Sequence, residues 1–112
     1  MHTSLTLRTD FGWTEAVVDE DGGLRRFYEV ANILSRNNEV TFLAKLDDFD
    51  SIYWDFSYKK RALTLHYNIY TGISLYPQKF AAANKNENEA VVEVAGFLET
   101  ELLVNTSKKY MS

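Results

Sequence analysis

The stretch DFDSIYWDFSY, residues 48–58, contains the residue types of this chain that could do chemistry. Five aromatic side chains and three carboxylates fall within eleven positions. Carboxylates serve as general acids, general bases and metal ligands, and aromatic rings supply contact area for sugars, bases and proteins. Three interpretations are open: an active site, a sugar or nucleotide platform, or one strand of an ordinary sheet beside an acidic loop.

The acidic part is Asp47-Asp48-Phe49-Asp50. It lacks the ligand spacing and the glycine of a calcium-binding loop, so we predict no metal site. Aspartate favours turns, which makes a solvated turn one interpretation. In the other, three carboxylates around an exposed Phe49 meet a basic patch, and Phe49 is the anchor.

His66 is the one histidine away from the N-terminus. If it lies beside Asp55 across a strand pair, it could act as a general base oriented by a carboxylate. The sequence does not fix the required register, and a lone histidine on a polar sheet face is commonly a surface residue. The chain has no cysteine, which excludes disulfides and thiolate metal sites. We predict no cofactor.

The charge balance selects between classes of partner. Twelve basic and 16 acidic residues give a net charge of −4 and a pI of about 5.1. Nucleic-acid binding needs a basic surface, so nucleic acid is a poor partner and a basic macromolecule is a better one. The first ten residues hold no apolar stretch of signal-peptide length, and no later segment is long enough to span a membrane. We therefore expect a cytoplasmic protein without a membrane partner.

Two segments have the helical period. Leu24 to about Arg36 carries apolar residues three and four apart, with Asp21 placed to cap its start. A second helix has a stripe of apolar residues, and Asn86 with Glu89 resembles a capping box. The stripe consists of Val91, Val94, Ala95, Leu98 and Leu102.

The remaining segments alternate with a period of two, which predicts strands at 3–9, 40–46, 52–58, 63–70 and 73–77. Thr14–Val18 is left open between strand and loop. Short connections predict an antiparallel meander, with 73–77 as a short edge-like strand that Pro77 closes. The expected architecture is α+β, an antiparallel β-meander sheet with two amphipathic helices packed on one face. It forms a single domain, 1–112, with a frayed tail at 105–112.

Alternation divides the sheet into two faces. Ile52, Trp54, Phe56 and Tyr58 are assigned to the core, and alternation places Leu46 of the preceding strand and Tyr67 of the following strand on the same face. The opposite face presents a mixture of rings and hydrogen-bonding groups, which suits recognition, although β-propensity alone could also place them there. Its members are Leu43, Lys45, Tyr53, Asp55, Ser57, Thr64, His66, Asn68 and Tyr70.

The segment VTFLAKLDDFDSIYWDFSYKKRALTLHYNIYTGISLYP, with the acidic helix after it, resembles small cytosolic immunity proteins of bacterial contact-dependent and polymorphic toxin systems. The resemblance lies in a compact, acidic, cysteine-free and tyrosine-rich sheet with two helices. It implies a non-enzymatic protein that binds a cognate toxin domain, often a basic nuclease, and blocks access of the substrate.

Two alternatives remain beside that implication. One is a self-associating structural or regulatory domain, a homodimer through the open sheet face, and the other is a small hydrolase that uses His66. The candidate partner-binding residues are Asp47, Asp48, Phe49, Asp50, Tyr53, Asp55, His66, Asn68 and Tyr70.

Overall fold

In the computed structural model, residues 5–9 and 12–111 are described, with side chains described as far as Val104. The strands and helices follow in the order β1, β2, α1, β3, β4, β5, β6, α2, with a short 3-10 helix at Phe80–Ala82 before α2. The strands are β1 Thr6–Arg8, β2 Glu15–Asp19, β3 Val40–Asp47, β4 Ser51–Tyr58, β5 Arg61–Asn68 and β6 Gly72–Pro77. The helices are α1 Leu24–Ser35 and α2 Lys85–Met111. The segment left open at 14–18 is thus a strand, and the helix continues through residues 105–111, which the sequence placed in a frayed tail.

The six strands of the described residues join one antiparallel sheet in the order β1-β2-β6-β5-β4-β3. The α+β class and the meander from β3 to β6 are therefore confirmed. The edge position predicted for residues 73–77 is wrong, because β2 pairs with β6 and places it inside the sheet. Pro77 is tolerated there because it is the last residue of the strand.

The β4–β5 hairpin turns on two residues, Lys59 and Lys60, both with positive φ (48° and 68°). Such a turn matches the right-handed twist of its strands, although Asn-Gly is the usual sequence. Because the turn pairs Tyr58 with Arg61, it fixes every later pair of the hairpin, including Tyr53 opposite His66.

A bulge interrupts the pairing of β3 with β4 between Phe42 and Ala44. One extra residue reverses the facing of all residues after it. Lys45 therefore lies opposite Trp54, with its ammonium 4.1 Å from the centre of a Trp54 ring, and Leu46 lies opposite Tyr53. The predictions that Lys45 lies on the open face and Leu46 on the core face are wrong.

Helix α1 begins after Gly23, which occupies the N-cap position, and no side chain donates or accepts a capping hydrogen bond there. The predicted cap by Asp21 is therefore wrong. Helix α2 does begin with a capping box, but two residues before the predicted one. The amide of Glu87 donates to Asn84 Oδ1, and the amide of Asn84 donates to Glu87 Oε1, each over 2.9 Å. All five residues of the predicted α2 stripe are buried.

The helices meet strand residues assigned to the core. The Phe27 ring of α1 packs edge-on against Trp54, with centroids 5.2 Å apart, and also contacts Tyr67. From β4, the Tyr58 hydroxyl donates to Glu93 of α2 over 3.0 Å. Packing of both helices on one face stays a prediction, and these contacts support it. The innermost side chains include Phe27, Phe56, Leu63, Leu65, Ile73, Leu75 and Leu98.

Candidate protein-binding site

The acidic loop and the β5–β6 turn lie together at one end of the sheet. The backbone amide of Ile69 donates to the carbonyl oxygen of Asp50 over 3.1 Å, which ties one turn to the other. Phe49 is 99% exposed and Tyr70 is 80% exposed. We call residues 46–50 together with 69–71 the acidic tip.

The conformation of the acidic loop is set by its own hydrogen bonds. The amide of Asp48 donates to the carbonyl of Ser51 over 2.7 Å and closes the turn. The carboxylate of Asp48 accepts the amide of Phe49 over 2.8 Å. Since these backbone groups are satisfied within the loop, the ring of Phe49 is displayed in solvent by an ordered turn.

Asn68 joins the two turns through its side chain. Its Oδ1 accepts the amides of Tyr70 (2.8 Å) and Thr71 (3.2 Å), an Asx-type turn. Its Nδ2 donates to Ser51 Oγ over 2.9 Å, and the Ser51 hydroxyl lies 3.3 Å from Asp50 Oδ1. Contact of Asn68 with a partner stays a prediction, and the structure shows that its side chain holds the turn that carries Tyr70.

The acidic tip is rich in unpaired negative charge. Asp47 and Asp48 are exposed and Asp50 is partly exposed. Within the part of the chain that the structure describes, none of the three forms an ion pair, and no cluster of acids and histidines could hold a metal. What the tip can offer is a field that attracts cations and a set of hydrogen-bond acceptors.

A row of aromatic rings lies on the face of the sheet that carries Tyr53 and His66. Tyr53 stacks on His66 with centroids 4.4 Å apart and planes 10° apart. Tyr76 then meets His66 edge-on at 5.8 Å, and Phe80 continues the row from Tyr76 to Trp13. Because these rings cover one another, Tyr53 and His66 are only partly exposed, and this face is less open than the sequence predicts.

His66 occupies a poorly hydrated position in that row. Its Nε2 is buried and has no hydrogen-bond partner among the described residues. Burial lowers the pKa of His66, and the negative charge of Asp50 opposes that shift in part. The imidazole is therefore neutral at pH 7.

Asp55 does not orient His66. It lies opposite Thr64, whose hydroxyl donates to Asp55 Oδ1 over 2.6 Å, and Gln78 Nε2 donates to Oδ2 over 3.1 Å. The residue opposite His66 is Tyr53. The acid–base pair considered for a hydrolase is therefore not formed, because the register places the two side chains at different pairs of the ladder.

Two apolar residues of the tip were missed by the sequence reasoning. Leu46, 62% exposed, was assigned to the core face, and the β3 bulge turns it outward. Ile69, 53% exposed, was assigned to a strand that in fact ends at Asn68. The signal for Ile69 was the following Thr71-Gly72, which marks a turn.

Comparison with family models, curated proteins and solved structures finds no match to this chain. Among the described residues, neither helix is long and apolar enough to cross a membrane.

Proposed function

We propose that this protein is a non-enzymatic binding protein that docks a basic protein on its acidic tip. We propose further that the partner is a toxin domain, which the docking neutralises. The docking rests on one observation: a fully exposed Phe49 held between carboxylates on a hydrogen-bonded turn. The proposal that the partner is a toxin rests on the resemblance of the acidic, tyrosine-rich sheet to immunity proteins.

The apolar side chains of the tip favour protein contact. Phe49, Tyr70, Leu46 and Ile69 are all more than half exposed and lie on two turns joined by the Ile69–Asp50 hydrogen bond. Large aromatic side chains that become buried at the centre of an interface supply much of its binding energy. The hydrogen bonds within the two turns reduce the backbone entropy lost on binding.

The charge of the tip favours a basic partner. Asp47, Asp48 and Asp50 concentrate three of the 16 acidic residues of this chain at the tip, and the net charge of the whole chain is −4. Complementary charge speeds encounter and orients the partner before contact. In a nuclease, carboxylates seated on the surface that binds phosphate would block the nucleic acid by charge and by volume.

The experiment uses the product of the reading frame next to this gene, which the proposal expects to carry a toxin-like domain. Isothermal titration calorimetry should give a tight one-to-one complex, and the toxin's activity should fall in parallel with occupancy. Phe49→Ala should weaken binding by about 2 kcal/mol or more. Tyr28→Ala, which truncates an exposed ring on α1, is the matched control and should bind as the parent does. Absence of binding, or equal losses in both variants, would contradict the proposal.

Self-association is the second candidate, favoured by the exposed β3 edge. Leu43 and Leu46 are exposed on this strand, which has no neighbour on its outer side among the described strands. Its bulge and Lys45 are features that hinder edge-to-edge pairing. Light scattering at micromolar concentration tests it: a dimer that Leu43→Lys dissociates supports pairing along β3, whereas a monomer rejects it.

A further inference from the structure

A groove of about 490 Å³ adjoins the acidic tip on the side of the sheet that carries His66. It runs over β1, β2, β6 and β5 and ends against the β5–β6 turn. Its walls include Arg8, Glu15, Glu20, His66, Tyr70 and Ser74. Tyr70 belongs to both the groove and the tip, so one partner can cover both.

The charges on the walls favour a cation. Glu15 and Glu20 bring two negative charges and Arg8 brings one positive charge, so the lining is net negative. Arg8 lies directly opposite Glu15 in the ladder, and Glu20 lies just beyond the end of β2. The field of Asp50 also reaches this region, because it acts on His66.

His66 adds a neutral polar ring to the wall. Burial lowers the pKa of His66, so at pH 7 the ring does not repel a cation. Its Nε2 has no hydrogen-bond partner among the described residues. A buried polar atom without a partner costs free energy, so a ligand that satisfies it would gain binding energy.

We propose that this groove binds a cationic side chain, an arginine of the basic partner, between Glu15 and Glu20 and beside the ring of Tyr70. The inference rests on the proposed function for the source of the arginine. A guanidinium suits the walls better than an ammonium, because its flat fork pairs with carboxylates and stacks on aromatic faces. The tip then supplies apolar contact area, and the groove makes binding specific for a partner that presents one arginine.

The test is a titration of the ¹⁵N-labelled full chain with Nα-acetylargininamide, followed by NMR. Saturable shifts are expected at the amides of Val17, Thr71 and Ser74. The uncharged analogue Nα-acetylcitrullinamide has nearly the same shape and should bind roughly fivefold more weakly than Nα-acetylargininamide. Shifts that do not saturate, or equal binding of the two compounds, would overturn the inference without recourse to a variant.

Variants then locate the site. Glu15→Gln/Glu20→Gln should weaken argininamide binding roughly fivefold, whereas Glu39→Gln, an exposed acid just before β3, should leave it unchanged. Equal effects of the two changes would overturn the groove as the site.

The failures of the two proposals are distinguishable. The titration is followed at amides of the groove, so the absence of shifts there overturns the groove alone. A toxin-like domain that fails to bind, with the argininamide titration intact, overturns the proposed function alone. If the Glu15→Gln/Glu20→Gln variant binds the toxin-like domain as tightly as the parent does, the groove is not part of the interface.

Discussion

The amide of Ile69 and the carbonyl of Asp50 are joined by a 3.1 Å hydrogen bond that unites two turns separate in sequence. One turn displays Phe49 and three carboxylates, and the other displays Tyr70. Neither turn alone would form a surface of interface type. Together they make the acidic tip, the most exposed apolar surface among the described residues of the sheet.

Asn68→Ala should loosen the tip. The variant loses the bonds to Ser51, Tyr70 and Thr71 and should lower the free energy of unfolding by about 1–3 kcal/mol. Urea unfolding measures this, with Asn32→Ala on the exposed side of α1 as the control. If the two variants unfold at the same urea concentration, Asn68 does not hold the turns together.

Gly72→Ala should be strongly destabilising. Gly72 has φ +81°, and an added Cβ would stand 2.1 Å from the carbonyl oxygen of Asp19. Strain and clash together should cost more than about 1 kcal/mol. Gly96→Ala is the opposite case, an exposed helix glycine with open space around it, and should stabilise by about 0.5–1 kcal/mol. Thermal unfolding of the pair should move in opposite directions. Parallel shifts would contradict the turn geometry at Gly72.

Leu98→Ala should remove a central contact between α2 and the sheet. Leu98 is completely buried, and such truncations cost about 2–5 kcal/mol. Leu103→Ala on the exposed side of α2 should change stability by only about 0.5 kcal/mol. Equal losses would mean that the stripe on α2 does not face the core.

Stability should fall between about pH 7.5 and pH 5.5 because of His66. Burial lowers the pKa of His66 in the folded state, so the unfolded chain binds the proton more readily. Stability from this group is therefore complete above the unfolded pKa of 6.5 and declines as the pH falls below it. His66→Phe keeps a ring against Tyr53 and removes the titration. Urea unfolding at the two pH values should show a larger loss in the parent than in the variant; parallel losses would show that His66 is not the cause.

The periodic patterns in the sequence predicted most of the fold. The α2 stripe is buried as predicted, because a period of 3.6 leaves one face for the core. The predicted acidic loop and exposed Phe49 are present, because aspartates favour turns that keep their own backbone bonds. Long-range pairing was beyond the sequence: β2 joins β6 across more than fifty residues, and no local pattern encodes that partner.

Register explains the errors in the site. The Lys59–Lys60 turn decides that His66 faces Tyr53 and not Asp55, and two lysines are not a usual signal for a two-residue hairpin. The bulge in β3 sends Lys45 over Trp54, where its ammonium interacts with the ring. The alternation before the bulge does not reveal a single inserted residue. The sequence therefore does not predict that the side chain of Leu46 faces outward.

The most direct test of the tip as the binding surface uses the toxin-like domain that the proposal expects next to this gene, and measures its association rate at several salt concentrations. Asp48→Lys/Asp50→Lys should lower that rate roughly tenfold or more at low salt and flatten its salt dependence. Glu39→Lys/Glu89→Lys changes the net charge equally, away from the tip, and should have the smaller effect. An association rate that both pairs lower to the same extent, or that neither alters, would contradict the assignment of binding to the acidic tip.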